Sequence, residues 1–477
     1  MGKRCNITQR RRGIAAWAGV TLGCGLLVSL LGCQPDKAVQ PPSWPELTLT
    51  AHDRILVLAP HPDDEVLGCG GVIQQALAMG LPVHVAFFTY GDNNQWSFLL
   101  YRKHLVLFPG AVRKMGLIRH DEALAAARLL GLSPEHLTFL GYPDFGTLDI
   151  WESHWGDRPP FESMLTRVTH VPYADALRPN APYKGEDIVQ DLTTVIKTFR
   201  PTKIFVSHPS DHMPDHRALY LFTRVALWDV EGELKPDVLP YLIHRARWPK
   251  PRGYEPGRWL LPPRALRTQI PWRHFRLGPG MIERKFTALR AHQTQFKASA
   301  HYLLSFVRPN ELFGDFPVVT LHTSATPPAP PPDGVTQVEE SSEELTDVER
   351  ATFVGVEWRS IQADGDDLVL SVAFSRPLAN AVRASIEVFG YDPNTPFAQM
   401  PKLHITVGAF NYTVSNQEQI VPNDTVRVIR RLNGITVRVP LQALWNPTRI
   451  LTSARTYLGD VPLDWVAWRV LELSATR

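Results

Sequence analysis

Over the first two thirds of the chain, apolar residues fall into short continuous runs separated by amphipathic stretches. Ile55–Ala59, Pro82–Thr89, His136–Leu140 and Lys203–Ser207 are the runs; Glu65–Met79, Asp121–Leu130, Gly185–Phe199 and Arg217–Leu227 carry helical periodicity. The all-apolar run Ile55–Ala59 is the mark of a strand buried on both faces, as in parallel sheets, and the other three are largely apolar. Strand and helix alternating at this spacing predict an α/β fold with a doubly wound, mostly parallel, Rossmann-like sheet and right-handed crossovers. Gly91–Gly116 reads as a loop insertion and Trp151–Pro182 as a long irregular segment, of the kind that is usually functional or mobile. Met281–His301 returns to helix. Beyond Phe353 the pattern becomes short alternating strands, at Leu368–Phe374, Ala384–Phe389, Lys402–Val407, Thr425–Leu432, Gly434–Val439 and Trp465–Leu473. With Asn433-Gly434 as a hairpin signal, this predicts a C-terminal β-sandwich.

Segments of biased composition divide the chain further. Basic residues Lys3, Arg4 and Arg10–Arg12 precede the uncharged stretch Ile14–Gly32, which ends in Leu30-Leu31-Gly32-Cys33. That order is a secretory signal, and its ending resembles a bacterial lipobox with Cys33 as the lipidated first residue; the competing reading is a membrane anchor. The expected divisions are a signal at 1–33, a tether at 34–50, an α/β domain at 51–322, a Pro-rich then acidic linker at 323–349, and the sandwich at 350–477. The expected location is the bacterial cell envelope, with the membrane reached through the lipid. After loss of the signal only Cys69 remains as a free thiol, so no intrachain disulfide is expected. Among glycines, it reads as a small buried residue. A net charge of +3 over 477 residues gives no global field for nucleic acid, and no nucleic-acid partner is expected. Tyr241–Gly280 is basic, aromatic and proline-rich; it either binds an anionic glycan or lipid phosphate, or covers the core. Trp358, Trp445, Trp465 and Trp468 form a sugar platform or fill the sandwich.

The chemistry concentrates where strands end. Ile55–Ala59 runs directly into Pro60-His61-Pro62-Asp63-Asp64-Glu65. Carboxylates at the rim of a core need partners. His61 and Asp64 offer a nitrogen and an oxygen to Zn²⁺, which leaves Asp63 free as a base. The alternative is a loop whose two aspartates cap the next helix. Lys203–Ser207 runs similarly into His208-Pro-Ser-Asp-His212-Met-Pro-Asp-His216, three histidines and two aspartates in nine positions. Two such clusters at equivalent strand ends favour a metal site.

Pro-His-Pro-Asp-Asp-Glu together with Pro214-Asp215-His216 resembles the LmbE-like, or PIG-L, family of zinc-dependent de-N-acetylases. Arg119-x-x-Glu122-Ala123 with Leu130-Gly131, Gly141-Tyr142-Pro143-Asp144, and Lys285-x-x-Ala288-x-x-x-His292-Gln293-Thr294-Gln295 extend the likeness over Arg54–Phe296. The resemblance implies His61, Asp64 and His216 as ligands of Zn²⁺ (Fe²⁺ suits the same set), with Asp63 as general base towards water held at the metal. It implies Asp215 as a residue orienting a ligand, and Arg119 and Asp144 as substrate-binding candidates. The family often has His where this chain has Met213, and Met cannot donate a hydrogen bond. The oxyanion role is therefore open, with His212 and His208 as candidates. The expected activity is zinc-dependent removal of the N-acetyl group from an N-acetylglucosamine-type sugar or glycan. Alternatives are a surface glycan-binding protein with a vestigial metal site, and a hydrolase of another N-acyl amide.

Overall fold

The computed structural model describes residues 43–93, 108–323, 335–336, 345–379, 381–459 and 461–475. The expected signal, Cys33 and most of the expected linker lie outside them. Five strands, β1 (Ile55–Ala59), β2 (Val83–Thr89), β3 (Leu137–Tyr142), β4 (Lys203–Ser207) and β5 (Asp237–Tyr241), form a sheet in the order β3-β2-β1-β4-β5. Every pairing in it is parallel, and all of β1 is buried. The chain steps outward from β1 to β3 and then returns to β4 on the far side of β1. Strand order thus reverses between β1 and β4, and the crevice outside their C-terminal ends is where open α/β sheets bind ligands. His61 follows one of these ends and His208 the other.

Helix α1 (Asp64–Ala78) leaves the first of those ends. Its glycines permit close packing: a Cβ on Gly68 would lie 2.5 Å from the Tyr241 ring, and one on Gly71 would lie 2.6 Å from Leu277. Cys69 between them is buried, and burial pushes its thiol well above the usual range. Beneath this helix Lys285 Nζ donates to the Leu67 carbonyl at 2.9 Å and pairs with Glu311 at 2.6 Å. Glu311 also accepts from the Gly71 and Val72 amides at 2.7 and 3.1 Å. Lys285→Met strands a buried carboxylate, and breaking a buried pair from one side costs about 3–5 kcal/mol. Denaturant unfolding is expected to show a loss of that order; a loss within about 0.5 kcal/mol, the range of ordinary surface substitutions, would show that the pair does not hold α1 to the neighbouring elements.

Two helices differ from the expected pattern. Helix α2 spans Pro109–Leu130, longer than the expected Asp121–Leu130, because Pro109 opens it and Val112, Met115 and Arg119 extend its buried face. Gly110 and Gly116 lower helical propensity in the part expected to be a loop insertion. The expected Met281–His301 helix is two, Pro279–Leu289 and Gln293–Leu303. The break places His292, fully buried, between them. Between β3 and the helix Gly185–Phe199 lies α3 (Thr147–Ser153), a short helix within the segment expected to be irregular. Helix α4 (Pro214–Asp229) follows the loop after β4. In the basic stretch after β5, Trp248 and Trp272 are buried in the main core, so these parts pack as cover.

The C-terminal part is a sandwich of two largely antiparallel sheets. One holds β10 (Val356–Asp364), β11 (Asp367–Phe374), β16 (Arg427–Arg431) and β17 (Gly434–Pro440); the Asn433-Gly434 turn joins the last two, as expected. The other holds β12 (Val382–Tyr391), β13 (Lys402–Val407), β18 (Arg449–Leu458) and β19 (Val461–Ala475). β8 (Val319–Thr323), from the end of the expected α/β region, pairs parallel with β19 at the edge of this sheet. Alternate residues of β12 and β13, such as Ile386, Val388 and Ile405, fill the core between the sheets. The opposite face of β12, with Phe389 and Tyr391, joins Trp468 in the core of the α/β part. β12 is therefore buried on both faces. No described helix is long and apolar enough to cross a membrane.

Candidate metal and catalytic site

The loop after β1 is built to present side chains. Asp63 adopts φ 132° and ψ −26°, a region that costs a non-glycine residue strain. Its neighbours hold it there. The Asp63 amide donates to Glu65 Oε2 at 2.9 Å, and Glu65 Oε1 lies 3.0 Å from His292 Nε2. Arg119 reaches from α2 to donate to the carbonyls of Pro62 and Gly91, both at 2.8 Å. Its guanidinium is buried beneath this turn, 3.6 Å from Asp63 Oδ1. One turn further along α2, Glu122 accepts from the Thr294 amide and hydroxyl at 2.9 and 2.6 Å. The Arg-x-x-Glu spacing thus ties one helix face to two loops around the site.

His61, Asp64 and His216 converge from the two strand ends. Each offers one ligand atom, and these lie within 4.8 Å of one another. Asp64 Oδ2 stands 3.3 Å from His61 Nδ1 and 3.1 Å from His216 Nε2. Asp64 Oδ1 is buried without a hydrogen-bond partner. Buried polar atoms normally have partners, and two imidazoles with one carboxylate form a donor set that suits Zn²⁺ with a coordination position to spare. The residues fit a divalent cation.

His61 also faces Asp144 and Asp215 through Nε2, at 3.1 and 3.2 Å, so His61, Asp144 and Asp215 form a second grouping of the same kind. Asp215, however, is already occupied. It accepts from the Phe145 amide at 2.7 Å, the Thr147 amide at 3.2 Å and the Thr147 hydroxyl. That suits it to orient His61, as metal-binding histidines usually require. Asp144 accepts from the Asn93 amide at 2.9 Å. Asp211 does for His216 what Asp215 does for His61, lying 3.2 Å from its Nδ1. It is fixed in turn by the amides of Met213, Ile243 and His244.

The electrostatics separate the two adjacent aspartates. Burial alone raises Asp64, but His216 and His61 outweigh it and hold the carboxyl well below the usual range. Burial, and then the charge of Asp64, push Asp63 up to about 7. His216 is disfavoured as a cation by burial, yet Asp211 and Asp64 raise it to about 9.

Among the residues singled out from the sequence, His61, Asp63, Asp64, Asp144, Asp215 and His216 come together. His208 does not. Its ring packs on Trp272 and Phe316 at centroid distances of 5.7 and 5.3 Å, and its Nδ1 accepts from the Ser210 amide. That hydrogen bond closes the turn after β4 and turns the imidazole away from the cluster. The His212 amide donates to the His244 carbonyl at 2.8 Å; burial, then Arg245, keep its imidazole down at about 3. Sequence reasoning missed His244, whose ring stands edge-on to His216 at 4.8 Å. Burial holds it down at about 4, and therefore neutral. It closely follows β5, just as His61 follows β1 and His208 follows β4, and that recurrence was readable.

Residues 56–227 match the family model described as PIG-L, GlcNAc-PI de-N-acetylase. The matched stretch includes all six converging residues. The chain is 29% identical over 179 residues to 1D-myo-inositol 2-acetamido-2-deoxy-α-D-glucopyranoside deacetylases of two Mycobacterium strains, KMS and JLS. That alignment covers 37% of this chain and 52% of theirs, so the chain spans about half the length of these relatives. A Kribbella flavida protein of the same name is 25% identical over 299 residues, covering 55% of this chain and 89% of its own. Among solved structures, N,N'-diacetylchitobiose deacetylase from Pyrococcus horikoshii is similar at 20% identity and a TM-score of 0.30, over 51% of this chain and 71% of that one.

Proposed function

We propose that this chain is a divalent-metal-dependent N-deacetylase that removes the acetyl group from an N-acetylglucosamine-type sugar. The observation that carries this reading is the convergence of His61, Asp64 and His216, with Asp63 adjacent and outside that set, inside the stretch that matches the PIG-L model. His61, Asp64 and His216 would hold the cation, Zn²⁺ by donor type. When bound, such a cation supplies Lewis-acid chemistry, polarising a carbonyl and acidifying water.

The chain's own groups do the rest. Asp63 accepts the proton of the attacking water at its carboxylate and returns it to the departing amine. The strained turn and the Arg119 contact to Pro62 fix its direction. Asp215 and Asp211 hold the two imidazoles in the tautomers their hydrogen bonds dictate. The Met213 side chain has no hydrogen to donate, so His244 takes the role of neutral donor towards the carbonyl oxygen. His244→Ala is expected to lower kcat on the order of 10²-fold with cation content unchanged. A variant with full kcat would remove His244 from the reaction.

The substrate class is tested by a panel of N-acetylglucosaminides set against N-acetyl amino acids and longer N-acyl sugars. Acetate release confined to the sugars supports the reading, and release only from non-sugar amides contradicts it. Export and lipidation at Cys33 form part of the same proposal and rest on the signal-like segment. Incorporation of labelled fatty acid in a bacterial host, lost in Cys33→Ala, is the expected result, and a chain that takes up no label would refute the anchor.

A further inference from the structure

The elements that hold Asp215 and Asp211 are themselves held by the C-terminal sandwich. Trp151 of α3 is fully buried against three sandwich rings, those of Phe389, Phe397 and Trp468, at centroid distances of 5.6, 5.4 and 6.1 Å. The next residue, Glu152, receives both terminal nitrogens of Arg455 on β18, one on each carboxylate oxygen, at 3.0 Å each. This two-pronged geometry fixes orientation as well as distance. Glu387 on β12 stands behind Arg455 at 3.3 Å, and His404 on β13 lies 3.0 Å from the Glu152 carbonyl. At the other end of the same short helix, Thr147 and the turn before it grip Asp215, which faces His61.

A second arm runs through the neighbour of His216. The Arg217 guanidinium lies 4.0 Å from the ring centroid of Trp465, on β19. The same guanidinium donates to the Asp211 carbonyl, and Asp211 faces His216. Each imidazole of the cluster is thus backed by a carboxylate, and each carboxylate by a group that the sandwich touches.

We infer that the sandwich is a positioning domain for the site, with Arg455 setting the His61–Asp215 pair through α3 and Trp465 setting the His216–Asp211 pair through Arg217. The inference rests on reading His61 and His216 as cation ligands. It gives the C-terminal part work in catalysis rather than in glycan capture. Trp465 and Trp468 are accordingly committed to the α/β part, with Trp468 buried there.

The test is a double-mutant cycle on Zn²⁺ affinity, measured in the full chain by competition with a chelating dye. Direct outer partners of metal ligands contribute roughly 10–100-fold in affinity, and a group one step further back is expected to contribute on the order of 10-fold. Arg455→Leu is expected to weaken binding by that factor, and Arg455→Lys to regain part of it. Glu152→Gln removes the ion pair from the other side and leaves no buried unpaired carboxylate, so it serves where Arg455→Leu fails to fold. In an Asp215→Asn background, either change is expected to add nothing, because both act through Asp215. Unchanged affinity in Glu152→Gln, or an equal further loss in the Asp215→Asn background, overturns the inference. If the unmutated chain binds no Zn²⁺, the metal reading itself fails. The ¹⁵N-imidazole spectrum of the metal-free chain then decides: His61 resonances moved by Glu152→Gln support the coupling, and unmoved resonances refute it.

Discussion

Asp63→Asn is expected to lose acetate release by about 10²–10⁴-fold, the contribution typical of a positioned acid–base group, while the protein binds its cation as before. The substitution keeps the shape of the side chain and removes only its capacity to take a proton. Asp63 is not needed as a ligand, since His61, Asp64 and His216 form the converging set without it. Its backbone is held by Glu65 and, through Pro62, by Arg119, contacts that do not require the carboxylate. Burial and the adjacent Asp64 disfavour the charge on Asp63, so the amide is expected to be tolerated or mildly stabilising in unfolding experiments. Cation content and acetate release measured on the same preparation separate the two roles. Loss of the cation together with the activity would mean that Asp63 is a ligand and the base lies elsewhere.

His216→Ala is expected to abolish stoichiometric cation binding, an effect beyond the roughly 10–100-fold that outer partners contribute. It removes one of two imidazoles and leaves Asp64 and Asp211, both fully buried or nearly so, facing each other's charge across the gap. The metal-free protein is expected to lose stability as well, by about 3–5 kcal/mol, because a buried carboxylate loses its counter-group. Elemental analysis after dialysis against a chelator reads the first effect, and denaturant unfolding the second. Full occupancy in the variant would move the site to the alternative grouping of His61, Asp144 and Asp215.

What was legible in the sequence was what local pattern encodes. The all-apolar run before His61 and the apolar centre of Lys203–Ser207 before His208 announce interior strands, and both clusters sit at strand ends because the chain's polar residues concentrate where the sheet stops. That fixed the sheet type and brought six of the site residues into view. Roles that depend on packing between distant segments were not legible. His208 and His216 look alike in a line of residues, and only the ring of Trp272 on one side and Asp64 on the other tells them apart. Asp211 stood in the same loop, yet nothing local marks it as the partner of His216 rather than a turn residue. Helix α2 was cut short because Gly110 and Gly116 lower helical propensity, whereas Tyr173 and Asp92 pack where a side chain on Gly116 would go. The double burial of β12 was invisible, since alternation reports one buried face and Phe389 and Tyr391 lie on the other.

Acetate release from an N-acetylglucosaminide by the chain from Gln34 onward, stripped of metal and then titrated with Zn²⁺, tests metal-dependent deacetylation outright. The expected result is no release from the stripped protein, release that rises with Zn²⁺ up to one equivalent, and no recovery by the same titration in His216→Ala. Zn²⁺ bound at one equivalent without release from any N-acetylated sugar, or release that persists in the stripped protein, would contradict it.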